Sequence, residues 1–187
     1  MSASPSEPAM DLARQIRGEL SEPAPEGFQF LEHVIRQDAG LLRLGRRLAA
    51  HPDPAEVAEA LSQALRTEQS GWVLLKLIEL IDWLGTSAAT PALVAIAEHP
   101  PGEGERSAFL AGRACEVLLK LPLDVKTRAE ANRICGAPLQ HIHQFRLGAE
   151  RERLLQRPKR LEWVLLAALM ALGVGGFVYV LLSSRGS

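Results

Sequence analysis

"PAEVAEALSQALRTEQSGWVLLKLIELIDWLGTSAAT", residues 54–90, is followed immediately by "PALVAIAEHPPGEGERSAFLAGRACEVLLKLPLDVKT", residues 91–127. The two stretches align over 37 positions without a gap, and ten of these positions are identical. Self-similarity at such a period is typical of repeat architectures, in which each copy is one supersecondary unit. The sequence therefore predicts the same structural unit twice in succession.

Each copy has the pattern of two helices. It begins with a proline, Pro54 or Pro91, which is favoured in the first turn of a helix because its missing N–H would be unpaired there. The second helix carries apolar residues at three- and four-residue steps: Leu74, Leu77, Ile78, Ile81 and Leu84 in one copy, and Ala111, Ala114, Cys115, Leu118 and Leu121 in the other. A single pair cannot bury its apolar face, so neighbouring pairs must stack. The predicted fold class is all-α, a short helical-hairpin solenoid followed by one transmembrane helix.

The phrase "TPALVAIAEHP" (90–100), followed after a short loop by "ERSAFLAGRACEVLLKLP" (105–122), resembles HEAT-like repeats, particularly the short bacterial kind of the phycobilisome lyases. The resemblance implies an α-solenoid that binds proteins. Some such proteins are bilin lyases, so a cofactor lyase or chaperone role is an alternative. The chain has no nucleophile with a base at a recognisable spacing, and fold does not imply function. We therefore expect no enzyme and no cofactor.

The flanks of the two clear copies are weaker. Residues 27–156 are predicted to form the repeat domain, in which 28–53 would be an N-terminal capping pair. Residues 127–156 would be a degenerate third repeat that runs into a basic helix. The first 26 residues contain four prolines and many small or acidic residues. Such a segment buries little apolar surface, so 1–26 is expected to be disordered apart from a turn or two near "MDLARQIRGEL".

The chain ends in a long uncharged stretch. The segment 163–182, "WVLLAALMALGVGGFVYVLL", contains no charged residue and has the length that a bilayer core requires. Trp163 and Tyr179 lie near its ends, where amphipathic rings favour the headgroup layer. It is predicted to be a transmembrane helix, with a basic juxtamembrane linker at 157–162 and a short tail at 183–187.

The charges beside this stretch predict its orientation. Arg157, Lys159 and Arg160 precede it, whereas Arg185 alone follows it. Positive residues favour the cytoplasmic side, so the N-terminal domain is expected in the cytoplasm and the helix in contact with membrane lipid. The layout resembles that of tail-anchored proteins. Arginine outnumbers lysine 17 to 4, which suits a GC-rich bacterial genome, so the membrane is expected to be a bacterial inner membrane. The near-neutral middle of the chain argues against nucleic-acid binding.

Small residues recur on one face of the predicted span. Ala167, Ala171 and Gly175 are four residues apart, a spacing that lets two membrane helices approach closely. The pattern indicates lateral helix association, although membrane helices are rich in alanine and glycine in any case. If the association is the principal contact, the protein is an accessory subunit of a larger membrane complex.

A charged pair recurs in both copies. Lys76 precedes Glu79 by three residues, and Arg113 precedes Glu116 by three, so each pair shares one helix face. These four residues are the candidates for binding a protein partner. Two interpretations stay open: an exposed binding surface, or a ladder in which the Glu of one repeat pairs with the Lys or Arg of the next. The function we expect is a membrane-tethered scaffold that holds a protein partner.

Other chemistry-bearing residues point to packing. Cys135, His141 and His143 are metal-ligand types, but residues two apart on a helix diverge and no fourth ligand is evident, so no metal site is expected. The aromatic residues Trp72, Phe109 and Trp83 are expected to pack in the core or at its edge.

Overall fold

The computed structural model describes residues 6–21 and 38–156, and every regular element in that part of the chain is helical. The predicted all-α class is therefore confirmed. Seven α-helices lie there: α1 (Glu7–Leu20), α2 (Ala39–Ala49), α3 (Pro54–Thr67), α4 (Gly71–Leu84), α5 (Thr90–Glu98), α6 (Gly104–Lys120) and α7 (Val125–Gln156). A 3₁₀ turn, Ser87–Ala89, precedes α5.

The chain divides into two units, Met1–Leu147 and Gly148–Ser187. The predicted linker 157–162, transmembrane helix 163–182 and tail 183–187 lie outside the described residues. No helix within the described part has the length and apolar character needed to cross a bilayer.

The helix starts follow local side-chain chemistry. Asp38 caps α2 by accepting hydrogen bonds from the backbone N–H groups of Gly40 and Leu41, and Asp53 caps α3 in the same manner. The hydroxyl of Ser70 accepts from the N–H of Val73 at the start of α4. Each cap satisfies donors that a helix N-terminus leaves unpaired. The α4 helix ends at Gly85, whose φ of 66° lies in the left-handed region that favours glycine.

The helices pack as consecutive pairs. On one side α1 contacts α3 and α3 contacts α5; on the other side α2 contacts α4 and α4 contacts α6. Within the two sequence repeats, α3 pairs with α4 and α5 pairs with α6. The second copy thus repeats the helical hairpin of the first, as the 37-residue period predicts.

The apolar stripes of the repeats form the core. All ten stripe positions are buried except Leu84, which is half-buried and packs against the core. The α4 helix is apolar on nearly every side because α2, α3 and α6 surround it. Its few exposed or half-buried side chains therefore stand out, and they include the charged positions Glu79 and Asp82.

The N-terminal prediction was wrong for residues 7–20. Instead of a disordered segment, Glu7–Leu20 forms helix α1, whose buried residues are Ala9, Ala13, Ile16 and Leu20. Half of this stripe is alanine, which gives a weak signal in a sequence rich in charge. The segment is stable as a helix because α3 covers its apolar face. Arg17 also pairs with Glu68 at 2.9 Å across this contact. Of the predicted capping pair at 28–53, the helix Ala39–Ala49 is observed, and residues 28–37 lie outside the described part.

The C-terminal repeat was also predicted imperfectly. Residues 127–156 belong to one continuous helix, Val125–Gln156, rather than to a third helical pair. Pro138 lies inside it and removes one backbone donor from the helix ladder. Near Pro138 the α7 backbone lies close to α6, because Gly112 has no side chain. A Cβ at residue 112 would stand 2.7 Å from the Cβ of Ile142 and 2.8 Å from the carbonyl oxygen of Pro138.

Candidate functional site

The charged pair that recurs in both repeats lies between helices. Arg113, its basic member in the second repeat, is the centre of a set of ion pairs. This arginine on α6 is 1% exposed. Its Nε and Nη2 donate to the two carboxylate oxygens of Glu79 on α4, at 2.6 and 3.0 Å. Nη2 also donates to Asp82 at 2.6 Å, and Nη1 donates to Glu116 at 3.0 Å. The planar guanidinium thus holds three carboxylates at once, a geometry that lysine cannot reproduce.

The network reaches further on both sides of Arg113. Lys120 donates to Asp82 at 2.8 Å, and Arg146 on α7 donates to Glu116 at 2.8 Å. Three carboxylates and three cations therefore balance one another across α4, α6 and α7. We call this set, Glu79, Asp82, Arg113, Glu116, Lys120 and Arg146, the arginine network.

Lys76, the equivalent of Arg113 in the first repeat, is also buried, with 2% exposure. Its Nζ lies 3.1 Å from a carboxylate oxygen of Asp38, the capping residue of α2, and 5.1 Å from the centre of the Trp72 ring. A carboxylate and a ring face offset the cost of burying the ammonium group. Lys76 thus connects α4 to the start of α2 as Arg113 connects α6 to α4.

Two carboxylates of the network, Asp82 and Glu116, are held in the ionised form. Burial alone would raise the pKa of Asp82, but hydrogen bonds from Lys120 and Arg113, and the charges of both, bring that pKa below its ordinary value. The pKa of Glu116 is likewise lowered, because Arg146 and Arg113 outweigh the effect of burial. Burial would lower the pKa of Arg113, yet Glu79 and Asp82 raise it above the usual arginine value. Asp82, Glu116 and Arg113 are therefore charged at neutral pH.

Two of the four predicted partner-binding residues, Glu79 and Arg113, have the geometry of the inter-repeat ladder. Arg113 of the second repeat pairs with Glu79 of the first, which is the pairing that the ladder interpretation requires. Lys76 and Arg113 are covered by their own chain, so an approaching partner would meet only the half-buried carboxylates of Glu79 and Glu116. Binding through these four residues stays a prediction; what the contacts assign to them is the joining of helices.

Sequence reasoning missed Asp38, Asp82, Lys120 and Arg146. Asp82 follows Glu79 by three residues, so its position on the same helix face was a signal that could have been used. Asp38 and Arg146 lie outside the two clear repeats, and no period links them to their partners. Their roles depend on how α2 and α7 pack.

The two cysteines and the histidines are arranged for packing. Cys115 on α6 and Cys135 on α7 are buried free thiols, and burial raises the pKa of both. Thiols of this kind are poor nucleophiles. His141 and His143 are exposed on α7, and the described residues contain no group of three or more His, Cys, Asp or Glu side chains that could hold a metal ion.

The predicted aromatic packing residues differ in exposure. Phe109 is buried, and its ring centre lies 5.2 Å from that of Phe145 on α7. Trp72 is half-buried beside Lys76. Trp83 is 48% exposed at the end of α4, although one edge of its indole rests on α2 at Gly45. An aromatic side chain that is held in place and half open to solvent is a feature of binding surfaces.

The residues predicted to act at the membrane, Arg157, Lys159, Arg160, Ala167, Ala171 and Gly175, lie outside the described part of the chain. Comparisons with protein-family models, curated proteins and solved structures gave no match to this chain.

Proposed function

We propose that this chain is a short HEAT-like α-solenoid, anchored by a C-terminal membrane span, that holds a protein partner at the cytoplasmic face of the membrane. The observation that carries the solenoid part is the equivalence of the two repeats. In the second helix of each hairpin, residues 73–83 and 110–120, positions 37 residues apart are buried, half-buried or exposed alike. The position of Lys76 and Arg113 is a buried cation in both. Stacked helical pairs that contact only their neighbours are the defining arrangement of solenoids.

The binding part of the proposal is supported by what the described domain contains. Its buried charges join helices, its thiols are buried, and its half-exposed tryptophan is held on a neighbouring helix. Solenoids present extended surfaces to other proteins. The uncharged run 163–182 and the basic residues before it support the membrane attachment.

A second candidate function is that of an accessory subunit of a larger membrane complex. The observation that favours it is the recurrence of Ala167, Ala171 and Gly175 at four-residue steps. In this case the span, rather than the helical domain, makes the principal contact.

The two functions differ in whether the protein still binds its partner after the span is replaced. We would exchange residues 163–182 for an unrelated apolar span of equal length, and would compare partner capture from detergent-solubilised membranes with that of the wild type. A scaffold keeps its partner, whereas an accessory subunit loses most of it. Ala171→Leu and Gly175→Leu are the matched smaller changes, because both variants remain apolar and insert normally.

The topology has its own test. The intact protein should resist alkaline carbonate extraction, and protease added from the cytoplasmic side should digest all but a short C-terminal fragment. Release by carbonate, or protection of the helical domain from protease, would contradict the proposed anchoring.

A further inference from the structure

We propose that Leu42, Arg43, Arg46, Ala49 and Trp83 form the docking surface for an acidic segment of the protein partner. This set, the Trp83 surface, joins the exposed side of α2 to the end of α4. The inference rests on the proposed scaffold function and names the place and chemistry of its partner contact.

The tryptophan at the centre of this surface packs against α2 in the chain itself. Its ring atoms Cε3, Cζ3 and Cη2 lie directly over Gly45, where any Cβ would clash with them. The opposite side of the indole carries Nε1, which is a hydrogen-bond donor only. A large side chain that already packs on a neighbouring helix loses less entropy on binding than a free one, and tryptophan is among the residues most enriched where binding energy concentrates.

Apolar neighbours extend the surface along α2. Leu42 and Ala49 lie about one turn on either side of Gly45, so they share its side of the helix. Both are exposed, Leu42 to 36%. The ring of Trp83 therefore continues into an apolar strip that runs along α2 and is open to solvent.

The charge beside the strip has one sign. Arg46 follows Leu42 by four residues and Arg43 precedes Arg46 by three, and both arginines are exposed. Neither forms an ion pair within residues 6–21 and 38–156, whereas the adjacent Arg47 pairs with Glu19 at 2.6 Å. Asp82, next to Trp83 in the chain, is held by Arg113 and Lys120.

These groups specify the chemistry of the partner. Guanidinium groups and the indole N–H donate hydrogen bonds and accept none, so an occupant must supply acceptors, and carboxylates supply charge as well. An apolar side chain within the same segment would cover Leu42 and the ring of Trp83. An acidic segment with one or two apolar residues meets both requirements.

The test places a photo-crosslinking amino acid, benzoylphenylalanine, at Leu42 of the full chain in its membrane. Met10 on α1, which is 41% exposed, is the control position on a different helix. We expect the adduct at residue 42 to be a protein, and the crosslinked peptide to be rich in Asp and Glu. An adduct with lipid, with a second copy or with residues 22–37 of the same chain would overturn the proposal.

Charge reversal gives the quantitative arm. Arg43→Glu together with Arg46→Glu should reduce the yield of this adduct by about tenfold or more, and Trp83→Ala should do the same. The matched control is Arg14→Glu with Arg66→Glu, which changes net charge equally at exposed positions on α1 and α3. Equal loss in the control would show non-specific attraction and would overturn the proposal, as would unchanged yield in the Arg43/Arg46 variant.

Failure of this inference is separable from failure of the scaffold function. If the wild-type protein co-purifies with a protein partner but residue 42 makes no adduct with it, the Trp83 surface is wrong and the scaffold function stands. If the wild type captures no protein and neither position makes a protein adduct, both proposals fail. Melting curves of each variant, equal to that of the wild type, exclude unfolding as the cause of a loss.

Discussion

Lys76 and Arg113 occupy the same position in the two repeats, yet their side chains make different contacts. Among the described residues, Lys76 lies beside the carboxylate of Asp38 and the face of Trp72. Arg113 donates to two carboxylates on α4 and to Glu116 on its own helix. The difference follows from the side chains, since an ammonium group is a compact charge and a guanidinium group is a planar fork with five donors. A repeated position can therefore keep its burial and its charge while the geometry of its contacts changes.

The largest expected effect comes from removing these two cations. Arg113→Met should lower the free energy of unfolding by about 3–5 kcal/mol, because Glu79, Asp82 and Glu116 keep their charge without their common partner. Lys76→Met should cost less, since Asp38 still accepts hydrogen bonds from Gly40 and Leu41 as a helix cap. Denaturant unfolding of the intact chain in mild detergent, followed by circular dichroism, gives both values. Equal losses would mean that the two repeats use the position identically.

The next comparison concerns the last leucine of each repeat. Leu121 is buried, so Leu121→Ala should lower the free energy of unfolding by about 2–5 kcal/mol. Leu84 is half-buried, so Leu84→Ala should lower it clearly less. The sequence pattern predicted equal roles for the two. Melting temperatures of both variants decide between equality and the order given by their burial.

A smaller effect is expected at the position where the repeats differ in side-chain size, which is Leu75 in the first and Gly112 in the second. Gly112→Ala should destabilise by about 1–3 kcal/mol, because the new Cβ would meet Ile142 and the Pro138 carbonyl. Gly136 on α7 is the control, because nothing lies within 4 Å of a Cβ there. Gly136→Ala should stabilise by about 0.5–1 kcal/mol through helix propensity. Stabilisation by both changes would show that α6 and α7 do not pack closely at Gly112.

The smallest expected effect is the dependence of stability on acid. The pKa values of Asp82 and Glu116 are lowered by folding, so their stabilisation is fully present above their ordinary values of 3.8 and 4.5. The unfolded chain binds more protons below those values, and stability falls as the pH falls toward the folded pKa values. Melting temperature should therefore change little near neutrality and drop below about pH 4.5. In Arg113→Met the drop should be shallower, and an unchanged slope would remove Arg113 from the explanation.

The sequence predicted the parts of the fold that repeat. The 37-residue period placed both hairpins, and the three- and four-residue steps located Ile78 and Cys115 in the core. What it missed depends on contacts between segments that share no period. The apolar stripe of α1 is a weak pattern in the sequence, and α3 covers it in the fold. The close approach of α7 to α6 near Pro138 depends on the space left by Gly112.

For the candidate site, too, the sequence predicted what repeats and missed what depends on packing. The period paired Lys76 with Arg113 and Glu79 with Glu116, and left open whether they face a partner or one another. Only the packing of α4 against α6 brings Glu79 to Arg113. Trp83 was expected to pack, and its exposed half and the neighbouring Arg43 and Arg46 become a surface only when α2 lies beside the end of α4.

The most direct test of the stacked-repeat account is a double-mutant cycle between Glu79 and Arg113. The free energies of unfolding would be measured for the wild type, Glu79→Gln, Arg113→Met and the double variant. Because the two side chains share two hydrogen bonds across the repeats, we predict a coupling energy of about 1–3 kcal/mol. A coupling energy near zero would contradict the ladder between the repeats, and with it the stacking on which the proposed scaffold depends.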